Sequence, residues 1–587
     1  MARQEINLLS DAQVQRFILD GFLILPVDEL GEDFHADFYQ AAMERSPRGI
    51  VSDATDALMP EIGAVLNSPT VRGALQGLLG DGYIRHPHSG VSVESVEEAA
   101  PSAVPIDQGW HRDSYWGVQR VHHHRPRWLL CMYYPADVTI DMGPTAIAPG
   151  SHYYSLPGDG DGRARPPIEP IRHDQIDDPQ RLMLGADLRA RDQLLRKTIE
   201  SLEPSLREVP MVVKGGSFCL FHYDSYHRRM RRGGAGAPAT PPRVMFKLLF
   251  TCGRARTAPS WDHGHSDPSW AQHETTTIPR VLSESIWARM LGATTAGSGP
   301  ASGFDDTDHS TAQLTDVLHR SQCEHERMAA AYQLSQAGRA GNAESVRQLV
   351  DVLQHGSDAA QRAAMHALAA AGPVAVEPLL AVLAEPDVDH HVACCAVHAL
   401  GEAAETPSLA MVKVVAELSD RIKQTIEAES RAAGGWPAGG GGHPAPSGFG
   451  FRSPNPKERQ AWTPKLLHAS CLQTLGVLGQ RAQADGADDV VHAIIEQCIA
   501  CLNAPEPGGS NPDYPADSAL GSLLMSRQNA ALGLRMLCVE GSAISPKLRQ
   551  VVVDACSGSA ADPDKFLAHY CRDTLHCISG SRLAAGP

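Results

Sequence analysis

The sequence predicts a multidomain chain. A strand-rich N-terminal half reads as a double-stranded β-helix, a cupin-like jelly roll with flanking helices, and an all-α array of repeated helix pairs follows it. Three observations predict this. The 587 residues exceed what one ordinary hydrophobic core holds, so two or more domains are expected. Between Tyr83 and Phe250 the aromatic and aliphatic residues gather into short runs of strand character, and such a series suits a closed jelly roll. Beyond Gln313 the composition turns to alanine and leucine in helical stripes that recur along the chain. Aromatic residues make up 5% of the chain and hydrophobic residues 43%, a skew that suits helices packed through small side chains better than a second sheet domain.

Taken in order, Ser10 to Asp20 reads as the first helix, with Ser10 as N-cap and Val14, Phe17 and Ile18 as its buried stripe. Gly21 ends it, and Phe22 to Pro26 reads as a buried strand. Trp128 to Tyr134, Phe218 to Phe221 and Val244 to Phe250 are further strands, while the charges and leucines of Pro179 to Glu203 suggest a helical insertion. Gly, Ser, Thr and Asp dominate from Ala293 to about Gln313, the composition of a linker. The expected division is a domain over 1–292, a linker over 293–312 and helices over 313–587. In the last part Val346, Leu349, Val350 and Leu353 recur as Val376, Leu379, Leu380 and Leu383, and Met365-His-Ala-Leu-Ala369 recurs as Val397-His-Ala-Leu-Gly401. Two helices per roughly 30-residue unit form a solenoid, because each pair has an apolar face that only a neighbouring pair can bury. The units resemble HEAT repeats. Weaker echoes follow at Ala469 to Gly476, Asn529 to Cys538 and Phe566 to Ile578, and a Gly/Pro-rich loop at 433–456 interrupts the array.

The net charge of −17 argues against a nucleic acid as partner. Arg228, Arg229, Arg231 and Arg232 read as a local solvated loop. The thirteen cysteines have no framework spacing, which fits reduced core thiols. The pair Cys498 and Cys501 falls in the helical run Val490 to Leu502, with no second pair at zinc spacing, and reads as core. The start of the chain is polar, and no apolar run approaches the ~20 residues of a membrane span. A soluble cytoplasmic protein is expected.

Three segments carry the chemistry: Gly109-Trp-His-Arg-Asp-Ser-Tyr-Trp116, Gly143 to His152, and Gly216 to His227. Together they offer a histidine, a carboxylate two residues on, and a distant second histidine near a strand end. Two histidines and one carboxylate hold one face of an octahedral ion and leave the other positions open, as a non-haem Fe(II) oxygenase needs. A His-x-Asp triplet alone says little. The chain has four, at His35/Asp37, His111/Asp113, His222/Asp224 and His265/Asp267, and chance alone supplies about three His-x-acid triplets at this composition. His35 reads as the solvated face of a polar helix, His265 as a surface turn, and His122-His-His124 as a solvated basic loop. His111 and Asp113 follow Gly109-Trp110 and precede the aromatic Tyr115 and Trp116. The distal histidine is His227 or His222.

The order and context of these segments resemble the phytanoyl-CoA dioxygenase family of iron/2-oxoglutarate oxygenases over roughly the first half of the chain. The opening helix, Asp20-Gly21-Phe22 and strand add to the likeness. The resemblance implies a metal set of His111, Asp113 and His227, because the family's second histidine lies several residues past the strand end. His222 then becomes a supporting core residue. It also implies an arginine on the following strand that grips the distal carboxylate of 2-oxoglutarate, since a guanidinium fork matches a carboxylate. Arg243 holds that place after a loop longer than the family's usual one, and Lys247, on the same strand face, is the alternative. The implied cofactors are Fe(II) and 2-oxoglutarate, with O2 as oxidant and ascorbate in support. Related halogenases carry Gly or Ala where this chain keeps Asp113, so C–H hydroxylation, or another oxidative C–H outcome, with release of succinate and CO2 is implied. The expected substrate is small or lipid-like, and the HEAT-like repeats would offer a protein partner a docking face. A protein hydroxylase and an inactive interaction scaffold are the competing readings, and the intact His111, Asp113 and His227 set argues against the scaffold.

Overall fold

The computed structural model describes residues 6–46, 49–52, 55–94, 123–153, 208–230, 240–264, 270, 278–292, 310–385, 387–432, 456–503, 526–538, 544–561 and 565–579. His111, Asp113, His122, the 179–203 insertion, most of the linker and the 433–455 stretch lie outside the described residues.

Local signals set the opening. Helix α1, Asp11–Asp20, starts with a reciprocal capping box between Ser10 and Gln13. It ends where Gly21 takes φ +76 and donates its N–H to Phe17 O at 2.8 Å, a conformation that favours glycine. Strand β1, Phe22–Pro26, follows directly, as the sequence predicts. Then come α2, Glu32–Arg45, β2, Gly49–Ser52, α3, Pro69–Leu79, and β3, Ile84–Glu94. The remaining strands are β4, Trp128–Tyr134, β5, Thr145–Ile147, β6, Val209–Pro210, β7, Ser217–His222, β8, His227–Arg229, and β9, Arg243–Thr251. Helix α4, Arg280–Met290, closes this half and packs on α1.

Two antiparallel sheets result. The larger has the order β1-β7-β4-β9-β3-β2 and the smaller β6-β5-β8. Alternation along the strands separates two faces. Tyr133 and Phe246 meet Phe38 of α2, at ring separations of 5.1 and 4.8 Å, so they and the residues in register with them face the helices. Trp128, Leu130, Met132 and Tyr134 therefore face the other way, with Leu249 and Lys247 in register beside them. Tyr134 reaches the smaller sheet there, its hydroxyl 3.2 Å from Thr145 Oγ1. This second face lines the barrel lumen.

The second half is helix-rich. After α5, Thr311–Arg320, come α6, Glu324–Arg339, α7, Ala343–His355, α8, Asp358–Ala371, α9, Val376–Ala384, and α10, His390–Ala403. The chain continues through α11, Leu409–Ala432, α12, Pro456–Ala484, α13, Asp488–Asn503, α14, Ser526–Leu537, α15, Pro546–Ser559, and α16, Lys565–Ser579. Consecutive helices pair, and the pairs stack in two rows. The even-numbered helices from α6 to α16 pack on one another in one row, and the odd-numbered helices from α5 to α15 in the other. The segment Ala359–Ala384 is long and apolar enough to cross a membrane by composition, but it turns at the 3-10 segment Gly372–Ala375 and 61% of its apolar window is buried. All thirteen cysteines are free thiols, and Cys498 and Cys501 are core residues of α13.

The even-numbered row packs against one end of the barrel and buries the His123-His124 run, and contacts within the barrel half correct two further surface readings, His35 and Arg228. His124 is 2% exposed: its Nδ1 lies 2.8 Å from the Tyr332 hydroxyl of α6, and its ring stacks on His366 of α8 at 3.5 Å. His123 is also buried, 4.6 Å from the His398 ring of α10. The basic run is therefore an internal seam and not a solvated loop. His35 is buried on the inner face of α2 between Tyr133 Oη, at 2.7 Å, and Val27 O, at 3.0 Å. Arg228 is buried as well, with its guanidinium bonded to Glu208 at 2.9 Å. In each case the partner lies on a segment far away in sequence or on a different strand.

At the centre of the seam sits Glu402 of α10, 6% exposed. It takes ion pairs from Arg125 and Arg127, each at 3.1 Å, and from Arg289 of α4 at 2.5 Å. Arg481 of α12 donates to the backbone carbonyl of Glu402 at 3.2 Å. Burial pushes this carboxyl up, but the guanidinium groups of Arg125, Arg127, Arg289 and Arg481 outweigh it and hold Glu402 well below the usual carboxylate range. A buried charge is tolerated where partners of opposite charge surround it.

Candidate active site in the barrel lumen

The lumen residues follow from strand register. Thr145 faces the lumen through its bond to Tyr134, and Ile147, two residues on, shares its face. Ile147 pairs with His227, which places His227 on the lumen side of β8. His227 is 5% exposed, and its Nδ1 lies 3.0 Å from Ser225 O. A carbonyl accepts only from a protonated nitrogen, so this contact puts a hydrogen on Nδ1. Metal-ligating imidazoles are commonly oriented in this way by the nitrogen that does not bind the ion.

His222 is placed differently. It ends β7 in register with Leu129, on the face that meets the helices. Its ring stacks on Phe17 of α1 at 6.3 Å and lies 4.7 Å from His152. Asp224 donates its backbone N–H to His222 Nδ1 at 3.3 Å and accepts from the His123 backbone N–H at 3.2 Å. The His222/Asp224 triplet thus belongs to the core beneath α1, and His152 joins it through Ile18 O at 3.2 Å.

Arg243 opens β9 on the lumen face and is 2% exposed. Its Nη1 donates to Gly143 O at 2.6 Å. Gly143 takes φ +64 just before β5, so a glycine there lets the chain turn its carbonyl toward the guanidinium. Lys247 lies one lumen position further along the strand than Met245, in register with Met132 and Gly90, and is only half-buried. Of the two basic residues, Arg243 is the one buried and oriented by the fold.

His111 and Asp113 lie outside the described residues, and among the described residues no group of three or more His, Cys, Asp or Glu side chains is placed to hold a metal ion. The structure brings His227, Arg243 and Lys247 to one lumen and leaves His222 out of it. Sequence reasoning missed the Ser225 and Gly143 carbonyls, which orient His227 and Arg243, and the Tyr134–Thr145 pair that ties the two sheets. The alternation of Trp128, Leu130, Met132 and Tyr134 is the signal that could have found the last of these.

The phytanoyl-CoA dioxygenase (PhyH) family model matches residues 30–229, a span that runs from the β1–α2 turn through His111, Asp113 and His227. No curated protein matches the chain. Among solved structures, the chain is similar to EctD from S. alaskensis with 2-oxoglutarate and 5-hydroxyectoine, at 18% identity over 45% of this chain and 84% of that one, with a TM-score of 0.29. It is also similar to the non-heme alpha-ketoglutarate-dependent carbocyclase SnoK from nogalamycin biosynthesis, at 15% identity over 42% and 85%, with a TM-score of 0.28. The epimerase SnoN in complex with Fe3+, alpha-ketoglutarate and nogalamycin RO stands at 15% over 42% and 84%, with a TM-score of 0.27. These whole-chain scores are low, and the family match carries the assignment: residues 30–229 are a phytanoyl-CoA dioxygenase family domain, and the chain is an oxygenase.

Proposed function

We propose that the chain is an Fe(II)- and 2-oxoglutarate-dependent dioxygenase that hydroxylates a C–H bond of a small or lipid-like metabolite and releases succinate and CO2. The oxygenase unit is 1–292, and the helix pairs of 313–587 are a HEAT-like solenoid. His111, Asp113 and His227 hold the iron, and Arg243 holds the distal carboxylate of 2-oxoglutarate, with Lys247 as a weaker neighbour. The observation that carries this reading is His227, buried on the lumen face with its ring oriented by the Nδ1 bond to Ser225 O. The donor set fits a ferrous ion, since two imidazoles and one carboxylate leave positions for an oxo acid and O2. Bound iron supplies the oxidising chemistry. Arg243, held at Gly143 O, would pair with the distal carboxylate of the co-substrate through a charge-assisted contact. Tyr134 and Thr145 keep the two sheets together behind it.

The test is succinate formation from 2-oxoglutarate by the full chain with and without Fe(II), followed by the His111→Ala, Asp113→Ala and His227→Ala variants. Iron-independent turnover, or turnover that survives all three substitutions, would remove the reading. A protein hydroxylase with its substrate docked on the even-numbered helical row is less well supported. That row is covered by the chain's own barrel through His124, Arg127 and His86.

A further inference from the structure

The packing at the last helix pair carries a second role for the helical half. Helix α16 reaches strand β3, where the ring of Tyr570 meets His86 at 5.9 Å, nearly edge-on. His86 is in register with Leu249 and so faces the lumen, and its ring meets Trp128, also lumen-facing, at 5.6 Å. Trp128 in turn lies 5.9 Å from Tyr223. The backbone N–H of Tyr223 bonds to Trp128 O at 3.2 Å, four residues before His227. This aromatic group therefore lies at the His227 end of the barrel, opposite the end where Arg243 meets Gly143.

Two polar atoms in the group are buried and have no hydrogen-bond partner among the described residues: Trp128 Nε1 and the Tyr570 hydroxyl. The two residues are 3% and 1% exposed. Native folds rarely bury such atoms unpaired, and where they do, a ligand is one explanation. An indole N–H only donates, and a phenol can donate as well, so the missing partner is an oxygen acceptor. None of the four side chains is a lysine or arginine, and their rings offer flat apolar faces.

We propose that Tyr570 is a substrate-binding residue supplied by the helical half. Together with Trp128 Nε1 it would hold a neutral oxygen acceptor, such as a carbonyl, ether or hydroxyl, of an apolar or flat substrate at the barrel mouth. The proposal rests on the oxygenase reading above. On this view the helix array is the roof of the active site, and one of its side chains selects what enters.

The experiment uses the full chain with Fe(II) and 2-oxoglutarate, and soluble and lipid extracts of the expression host as the probe. Products that gain the mass of one oxygen atom are counted against 2-oxoglutarate consumed. Tyr570→Phe keeps the ring on His86 and removes only the hydroxyl, and it should lower product per 2-oxoglutarate about tenfold, the usual worth of one lost hydrogen bond. Trp128→Phe should do the same, and Tyr570→Ala should shift the product set toward bulkier compounds. A Tyr570→Phe protein with the wild-type product set and product ratio overturns the proposal. So does one that loses product and 2-oxoglutarate consumption in equal measure together with a lower Tm, because that is the mark of a structural role. A wild-type protein that consumes no 2-oxoglutarate with iron overturns the oxygenase reading itself, a different result from either.

Discussion

The barrel lumen and the seam beneath the helical array both bury histidine beside arginine, yet they hold them in opposite ways. In the lumen, His227 faces inward from its strand with Nδ1 bonded to a backbone carbonyl. In the seam, His123, His124, His366 and His398 pack ring against ring, and burial holds His123, His124 and His366 well below the ordinary histidine value. Lumen arginine is oriented by a neutral carbonyl, Gly143 O, whereas the seam arginines converge on a carboxylate. The lumen pair is thus set by backbone carbonyls, and the seam by stacked rings and a shared carboxylate.

Four predictions would break or sharpen that contrast. The largest effect is expected at His227. His227→Ala should abolish iron-dependent succinate formation, whereas His222→Ala should mainly lower stability, by about 1–3 kcal/mol for its buried contacts. Turnover lost in His222→Ala and kept in His227→Ala would exchange their roles. Next comes Glu402. Glu402→Gln leaves Arg127 and Arg289 buried without a counter-charge and should cost about 3–5 kcal/mol in denaturant unfolding. A loss below about 1 kcal/mol would mean that the seam does not depend on this carboxylate.

Arg243→Ala should raise KM for 2-oxoglutarate by about 30- to 1,000-fold, equivalent to about 2–4 kcal/mol of a charge-assisted contact, and Lys247→Ala far less. Equal effects would move the co-substrate elsewhere. The smallest effect is the pH dependence of the seam. Burial pushes His398 down to about 4, against Glu402, which favours its charged form. A base whose folded pKa is depressed contributes stability above its unfolded value near 6.5, and that stability is lost as pH falls toward 4. Each such histidine adds about 1.4 kcal/mol per pH unit in that window. His398→Asn should flatten the stability profile between pH 6.5 and 4 by about one proton's worth. An unchanged slope would show that His398 does not titrate there.

What could be read from the sequence was local. Ser10 with Gln13, Gly21, and the strands at Trp128 to Tyr134 and Val244 to Phe250 announce themselves within a few residues, and the structure has them as expected. The repeated stripes from Val346 to Leu383 mark helices α7 and α9 for the same reason. His35, His123, His124 and Arg228 read as solvated because their own neighbourhoods are polar. Their partners are Tyr133, His398, Tyr332 and Glu208, and no pattern within a helix or strand announces those. For the site, the preference for His227 over His222 came from family likeness. The structure adds a physical distinction: five positions apart in sequence, the two rings lie on opposite sides of a sheet.

The helical array touches the barrel near both of its ends, at Tyr332 in α6 and at Tyr570 in α16. Free-standing repeat arrays gain or lose a unit at little cost, since each unit contacts only its neighbours. Here the barrel acts as a ruler. Insertion or deletion of one helix pair between α6 and α16 would carry Tyr570 off β3, even if every remaining pair stacked well. The number of helix pairs between those two anchors is thus matched to the width of the oxygenase half they span.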